Sequence, residues 1–189
     1  MKDKRIGEQT IKFENPPKII ATYSIVGPKE GQGPLSEYFD EIISDDMMGK
    51  ETFEKAESEL MFSAVRGALK KANLKEEDIN YLCAGDLLNQ ITSSGFAARK
   101  LKIPFFGLYG ACSTMSESLS IASIIMDGGF ADYIVASTSS HFSSAERQFR
   151  FPLEYGSQRS PLAQWTITGS GAMILAREGD YPGVTHVTT

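Results

Sequence analysis

The chain has 189 residues, with 19 Lys+Arg, 24 Asp+Glu, a formal net charge of -5, 41% hydrophobic and 23% charged residues. These proportions describe an ordinary globular domain and exclude disordered and collagen-like chains. Two cysteines exclude a disulfide scaffold, and the mildly acidic balance argues against nucleic acid as a partner, because phosphate neutralisation needs a basic face.

Residues 1–18 carry several basic side chains and little apolar periodicity, and read as an extended N-terminal arm; residues 19–189 form the domain. No apolar core follows the charged Met1–Arg5, so no signal peptide is expected. No apolar run reaches the roughly 20 residues of a bilayer span, so any membrane role is expected to be peripheral. Ile19–Val26 is strand-like and stops at Gly27-Pro28. The Gly- and Pro-containing excursion to Lys50 is expected to hold a short helix over Leu35–Ile43. Ala56, Leu60, Met61, Ala64, Val65, Ala68, Leu69 and Ala72 then recur as the stripe of an amphipathic helix, with Thr52 as N-cap and Lys70 and Lys71 at the negative end of its dipole. Ile79–Ala84 predicts a buried strand, Ser93–Leu101 a short helix, Pro104–Leu108 a strand, Ser113–Met126 a helix and Tyr133–Ser137 a strand. Residues 141–164 predict a long loop. Trp165–Ile167 and Ala172–Ala176 read as strand material around Gly169-Ser170-Gly171, and Gly183–Val187 begins a last strand. Alternating strands and helices predict an α/β, layered α/β/α fold.

The helix Ser113–Met126 has one charge, Glu117, and apolar residues spread around its circumference, so it is expected to be buried on most sides. Lys and Arg are absent between Lys102 and Arg147. Cys112 sits at the first turn of that helix, where free N–H groups and the positive dipole end favour a thiolate and offer donors to an anion or oxyanion. The alternative is a small buried Cys that fills space. The paired-cysteine spacing of a zinc site is missing, and the usage fits a reducing compartment.

Tyr109-Gly110-Ala111-Cys112-Ser113, the small-residue helix, Gly128-Gly129 and Tyr133–Ser137 resemble the nucleophile region of the thiolase and ketoacyl synthase superfamily. Gly85–Gln90, Gln148–Gly156, Gln158–Pro161 and Ala163–Thr166 resemble, more narrowly, the stage V sporulation protein AD family of spore-forming bacteria. The likeness runs from about Ile11 to Arg177. It implies a thiolase-like layered fold, of which this chain is the first of two related halves. Family members are nearly twice as long, so a shortened chain or a dimer that shields one helix face is expected.

The resemblance implies non-catalytic binding of dipicolinic acid (pyridine-2,6-dicarboxylate), alone or with calcium, and no cofactor. It implies a place in the forespore cytoplasm, peripheral to the spore inner membrane, beside the other stage V sporulation A proteins. A planar dianion calls for Arg forks, amide donors and an aromatic surface. Arg150 and Arg159, within an aromatic stretch, and Asn89 and Gln90, past a strand end, are the candidates, with Asp86 and Cys112. Asp86 alternatively fixes the loop backbone, and Asn89 and Gln90 alternatively cap a turn. The competing reading is an acyltransferase with Cys112 as acyl-accepting nucleophile. That chemistry requires a base, and His141 and His186 do not match the histidine motifs of the superfamily. Ser170 stands where many ketoacyl synthases carry Asp. A third reading is an interaction module that pairs through about Ala131–Thr138, as an edge or a central strand.

Overall fold

A computed structural model describes residues 4–149, 162 and 164–189. The basic N-terminal stretch contributes β1 (Arg5–Ile6) and β2 (Thr10–Lys12), an antiparallel pair; β2 pairs in turn with β9 (His186–Thr188), giving a three-stranded sheet that joins the two ends of the chain.

The main sheet has six strands in the order β4-β3-β8-β7-β5-β6, formed by β3 (Lys18–Val26), β4 (Glu41–Ile42), β5 (Tyr81–Gly85), β6 (Phe105–Gly107), β7 (Tyr133–Ser140) and β8 (Gly169–Ala176). β5 runs parallel to β6 and β7, whereas β8 runs antiparallel to β3 and β7. β5 connects to β6 through α2 (Thr92–Leu101), and β6 connects to β7 through α3 (Thr114–Asp127). β6 and β7 lie on opposite sides of β5. Right-handed crossovers in opposite directions must place their helices on opposite faces, and that is what layers the fold.

On one face, α1 (Phe53–Ala72) follows the expected stripe: Ala56 is fully buried, and Leu60, Met61, Ala64, Val65 and Ala68 are fully buried against Ile25, Leu82, Val135 and Ile174. Thr52 Oγ1 accepts from Lys55 N at 3.3 Å, and Lys70 and Lys71 occupy the last turn, as the sequence implied. α2 packs beside it through Ala97, Ala98 and Leu101. On the other face, α3 covers Cys83, Ile134, Ala136 and Leu175 with Ala122 and Met126.

Four expectations need correction. Leu35–Ile43 is not a helix: a 3-10 turn over Ser36–Tyr38 leads into β4, held by Asp40, whose carboxylate accepts from Ser24 N at 2.9 Å. Residues 142–149 are not loop but helix α4 (Phe142–Phe149). Its N-terminal donors are satisfied by side chains, with Phe142 N on Thr168 Oγ1 at 3.0 Å and Ser143 N on His141 Nδ1 at 3.1 Å. Only the small Ser144 and Ala145 are buried along it, so no apolar period advertised it. Trp165–Ile167 are not strand; the strand begins at Gly169. Finally, α3 is not enclosed. Ser116 and Ile124 face outward, Ile124 is 40% exposed and Phe130 beyond the helix 74%. Serines fill positions that lysines would hold on an ordinary surface helix, which removed the sequence cue for a solvent side.

Of the two settings considered for the strand after α3, β7 has the central one, hydrogen-bonded to β8 and β5 on its two sides. The open edges are β4 and β6. Among the described residues no helix is long and apolar enough to cross a membrane.

Candidate functional site

β6 runs out at Gly107, and the chain bends sharply before α3. Ala111 has φ +47, a left-handed conformation that costs a residue with a Cβ about 1–3 kcal/mol. A 3-10 turn, Ala111–Ser113, follows, and Thr114 ties the bend together: its Oγ1 donates to Ala111 O at 2.8 Å and accepts from Gly110 N at 3.2 Å. Gly85, at the end of β5, makes room for the bend, since a Cβ there would stand 1.9 Å from Leu108 O. The result presents Cys112 exposed at the start of α3.

Cys112 opens into a cleft of about 510 Å³ lined by Leu87, Ala111, Met115, Thr138–Ser140 and Trp165–Ile167. It lies over the carboxyl ends of β5 and β7, where the winding of the sheet reverses and ligand sites of α/β folds usually form. Met115, Leu87 and Trp165 supply thioether, aliphatic and aromatic surface suited to a flat ring. The hydroxyls at the cleft floor are occupied: Thr138 Oγ1 donates to Gly85 O at 3.1 Å, Ser139 Oγ to Glu57 Oε1 at 3.2 Å, and Ser140 Oγ to Ile167 O at 2.8 Å.

Asp86, 1% exposed, holds the loop after β5. Its carboxylate accepts from Leu88 N at 2.8 Å, Ser94 N at 2.6 Å and Ser94 Oγ at 2.7 Å. It therefore caps α2 and shapes the loop, the second of the two roles its position suggested. Asn89 and Gln90 are exposed, and Gln90 has φ +59. Asn89 N donates to Gln148 Oε1 at 2.9 Å, which ties the loop to α4. Leu87 is the residue of this loop that reaches the cleft wall. Arg150 and Arg159 lie outside the described residues. Arg147 is described, and pairs with Glu54 of α1.

His141 is fully buried against Phe53, with ring centroids 5.1 Å apart. Its Nδ1 accepts from Ser143 N, so Nε2 carries the hydrogen, directed to Asp46 O at 3.1 Å. Although it opens the stretch predicted as loop, the ring belongs to the junction beneath α4. His186 is exposed on β9 in the smaller sheet. Cys83 is buried in the core, and burial pushes its thiol up to about 12. Ser170 Oγ donates to Thr138 O at 2.8 Å, a cross-strand tie between β8 and β7. Among the described residues no group of three His, Cys, Asp or Glu is placed to hold a metal ion.

One residue escaped the sequence reading. Glu57 of α1 is fully buried, accepts from Ser139 Oγ and from Ser144 Oγ (2.9 Å), and is raised to about 7, first by burial and then by the nearby Asp86 carboxylate. The signal was present: buried pairs recur at 56/57, 60/61, 64/65 and 68/69, and the second place in the first pair is a glutamate.

The fold is shared with condensing enzymes. A 3-oxoacyl-[acyl-carrier-protein] synthase III from Aquifex aeolicus superposes with a TM-score of 0.57 at 18% identity, over 87% of this chain and 55% of that one. A variant of OleA from Xanthomonas campestris gives 0.58 at 19% identity, over 88% and 57%. The thiolase-like layered α/β/α architecture is thereby shown. At the level of sequence, the stage V sporulation protein AD of Bacillus subtilis (strain 168) is 45% identical over 186 residues, 98% of this chain. The chain spans about half, 54%, of that relative's length. The family model for stage V sporulation protein AD matches residues 7–189. With nearly every residue from Gly7 onward inside that match, the chain belongs to the stage V sporulation protein AD family.

Proposed function

We propose that this chain forms the dipicolinate-recognising part of a non-catalytic binding protein that serves spore formation and germination. The observation that carries the proposal is family membership across residues 7–189, joined to the dipicolinate binding that the sequence resemblance implied. The cleft at Cys112 supplies a location: Trp165, Met115 and Leu87 offer surface for the pyridine ring, and the start of α3 offers N–H donors for a carboxylate. Arg150 and Arg159 are assigned the charge pairing, with Asn89 and Gln90 as amide donors from the neighbouring loop. Asp86 acts on the ligand through that loop. Calcium, in this proposal, accompanies the dianion through the ligand's own carboxylates.

The protein works at the spore inner membrane as a peripheral component, beside the other stage V sporulation A proteins. The outer side of α3 and the edge strand β6 form the assembly surface. Phe106 is 45% exposed there, close to Ile124 and Phe130 in character, and such surface calls for cover. A second copy of the chain provides that cover, which makes a homodimer the expected state.

Titration calorimetry with dipicolinate, with and without calcium, tests the reading. Binding that weakens in Arg150→Ala and Arg159→Ala is expected; a wild type that binds nothing overturns it. Exposure of Cys112 at a helix start favours the acyltransferase reading as the second choice. Intact mass after incubation with an acyl-CoA separates the two, since a stable adduct on Cys112 speaks for the enzyme.

A further inference from the structure

Five elements meet around one buried carboxyl group. Glu57 projects from α1; Ser139 of β7 and Ser144 of α4 donate hydroxyls to it, Ser93 of α2 is a further hydroxyl partner, and Asp86 of the loop after β5 faces it. Ser93, Ser139, Ser144 and Asp86 are each 4% exposed or less. The charged and titratable groups around this point are few. Glu54, one turn earlier on α1, is paired with Arg147 of α4. His141, after β7, uses both ring nitrogens in hydrogen bonds. Glu146 lies on α4, and β8 carries no ionisable side chain. Among the described residues, no cation pairs with Glu57.

An ionised carboxylate in such a place is strongly disfavoured, and a second carboxylate beside it compounds the penalty. Serine hydroxyls can donate to it, but among the described residues nothing supplies a positive charge. We infer that Glu57 is a proton-bearing positioning residue: protonated, it fastens α1, β7 and α4 beneath the cleft, and loss of its proton loosens that junction by placing a second buried negative charge beside Asp86. Burial and the Asp86 charge raise it to about 7, so the exchange falls in the neutral range.

The junction is wired to the cleft by short links. Ser139 is itself a lining residue. Gln148 of α4 accepts from Asn89 N of the loop that carries Leu87. Phe142, the first residue of α4, stacks on Trp165 at 5.2 Å between centroids. Strain from that unpaired charge therefore passes through Ser139 and Ser144 to α4, whose two ends support Trp165 and the Leu87 loop. The consequence for ligand rests on the dipicolinate reading: a dianion in the cleft strengthens the hold of Glu57 on its proton, so binding takes up a proton and weakens as pH rises.

Trp165 is the sole tryptophan and reports on this junction directly. Its emission, followed from pH 5.5 to 8.5, is expected to show a transition near 7 in the wild-type chain, absent in Glu57→Gln. Asp86→Asn, which removes the repelling charge but keeps an acceptor, is expected to move the transition down by about half a pH unit or more. A transition that persists unchanged in Glu57→Gln, or a wild type without one, overturns the inference. If Glu57→Gln does not fold, the Asp86→Asn shift decides the matter, and an unmoved midpoint counts against it. Dipicolinate affinity, measured in parallel, is expected to fall several-fold from pH 6 to 8 in the wild type and to stay level in Glu57→Gln. A Trp165 transition that follows Glu57 without dipicolinate binding at any pH supports the proton assignment and refutes the ligand reading alone.

Discussion

On one face of the main sheet, α1 lays Leu60, Met61 and Val65 into Leu82, Val135 and Ile174, and all six are fully buried. On the other face, α3 touches the sheet with Ala122 and Met126 and turns Ser116 and Ile124 outward. The first face has the density of a finished core. The second is smaller, with Leu119, Ile121 and Ile125 only partly buried against it, and it leaves Ile124 exposed on its far side. Stability is thus concentrated beneath α1, and the α3 side is left to present the bend at Cys112.

Substitutions on the two faces measure that division. Leu60→Ala empties a large volume from a site that cannot collapse, and a loss of about 2–5 kcal/mol is expected in denaturant unfolding. Gly85→Ala comes next, because its Cβ would strike Leu108 O and push the Cys112 bend away from the sheet. About 1–3 kcal/mol of destabilisation is expected, together with weaker ligand binding, by the same unfolding measurement and by calorimetry. Ile124→Ala, on the open side of α3, is expected to change stability by less than about 1 kcal/mol. A loss as large as that of Leu60→Ala would mean that the α3 face is as well packed as its counterpart.

Acid and base titrate the two faces in opposite senses. At the C-terminal end of α3, Asp127 accepts from Lys4 Nζ at 2.6 Å and from Asn15 N at 2.7 Å. Despite partial burial, these donors hold its carboxyl below the ordinary 3.8. Its contribution is present above that value and fades as pH falls through the lower folded value. Asp127→Asn is therefore expected to destabilise the chain at pH 7 and to lose its effect at strongly acidic pH. Glu57, on the α1 side, has the opposite sign, raised from 4.5 to about 7. The folded chain binds the extra proton between these values, so stability falls as pH rises across that window and levels above it. Thermal unfolding from pH 4 to 8 is expected to show that slope in the wild type and not in Glu57→Gln.

The α1 face was legible in the sequence because its apolar stripe, Thr52 cap and terminal lysines all agree with a core-facing helix. The place of Cys112 at the start of a helix was legible from the run Ser113–Met126 behind it. Three features were not. Glu57 was hidden inside an apolar stripe, where a single charge reads as the edge of the polar face. α4 was hidden because it buries only Ser144 and Ala145 and takes its caps from Thr168 and His141, distant or irregular in sequence. The open side of α3 was hidden because serine and isoleucine gave no sign of which way they point. Asp86 carried both a ligand role and a loop role in the sequence; one short hydrogen bond from Leu88 of the loop and two from Ser94 of α2 give it the second.

Cys112 permits the most direct test of where ligand binds. It is exposed, whereas Cys83 is buried and its thiol pushed up to about 12, so a small alkylating reagent reads one thiol in the folded chain. Alkylation of Cys112 is expected to slow several-fold in saturating dipicolinate and to recover when the ligand is removed. An unchanged rate under conditions where calorimetry shows full occupancy would place the ligand elsewhere and contradict the assignment of the cleft.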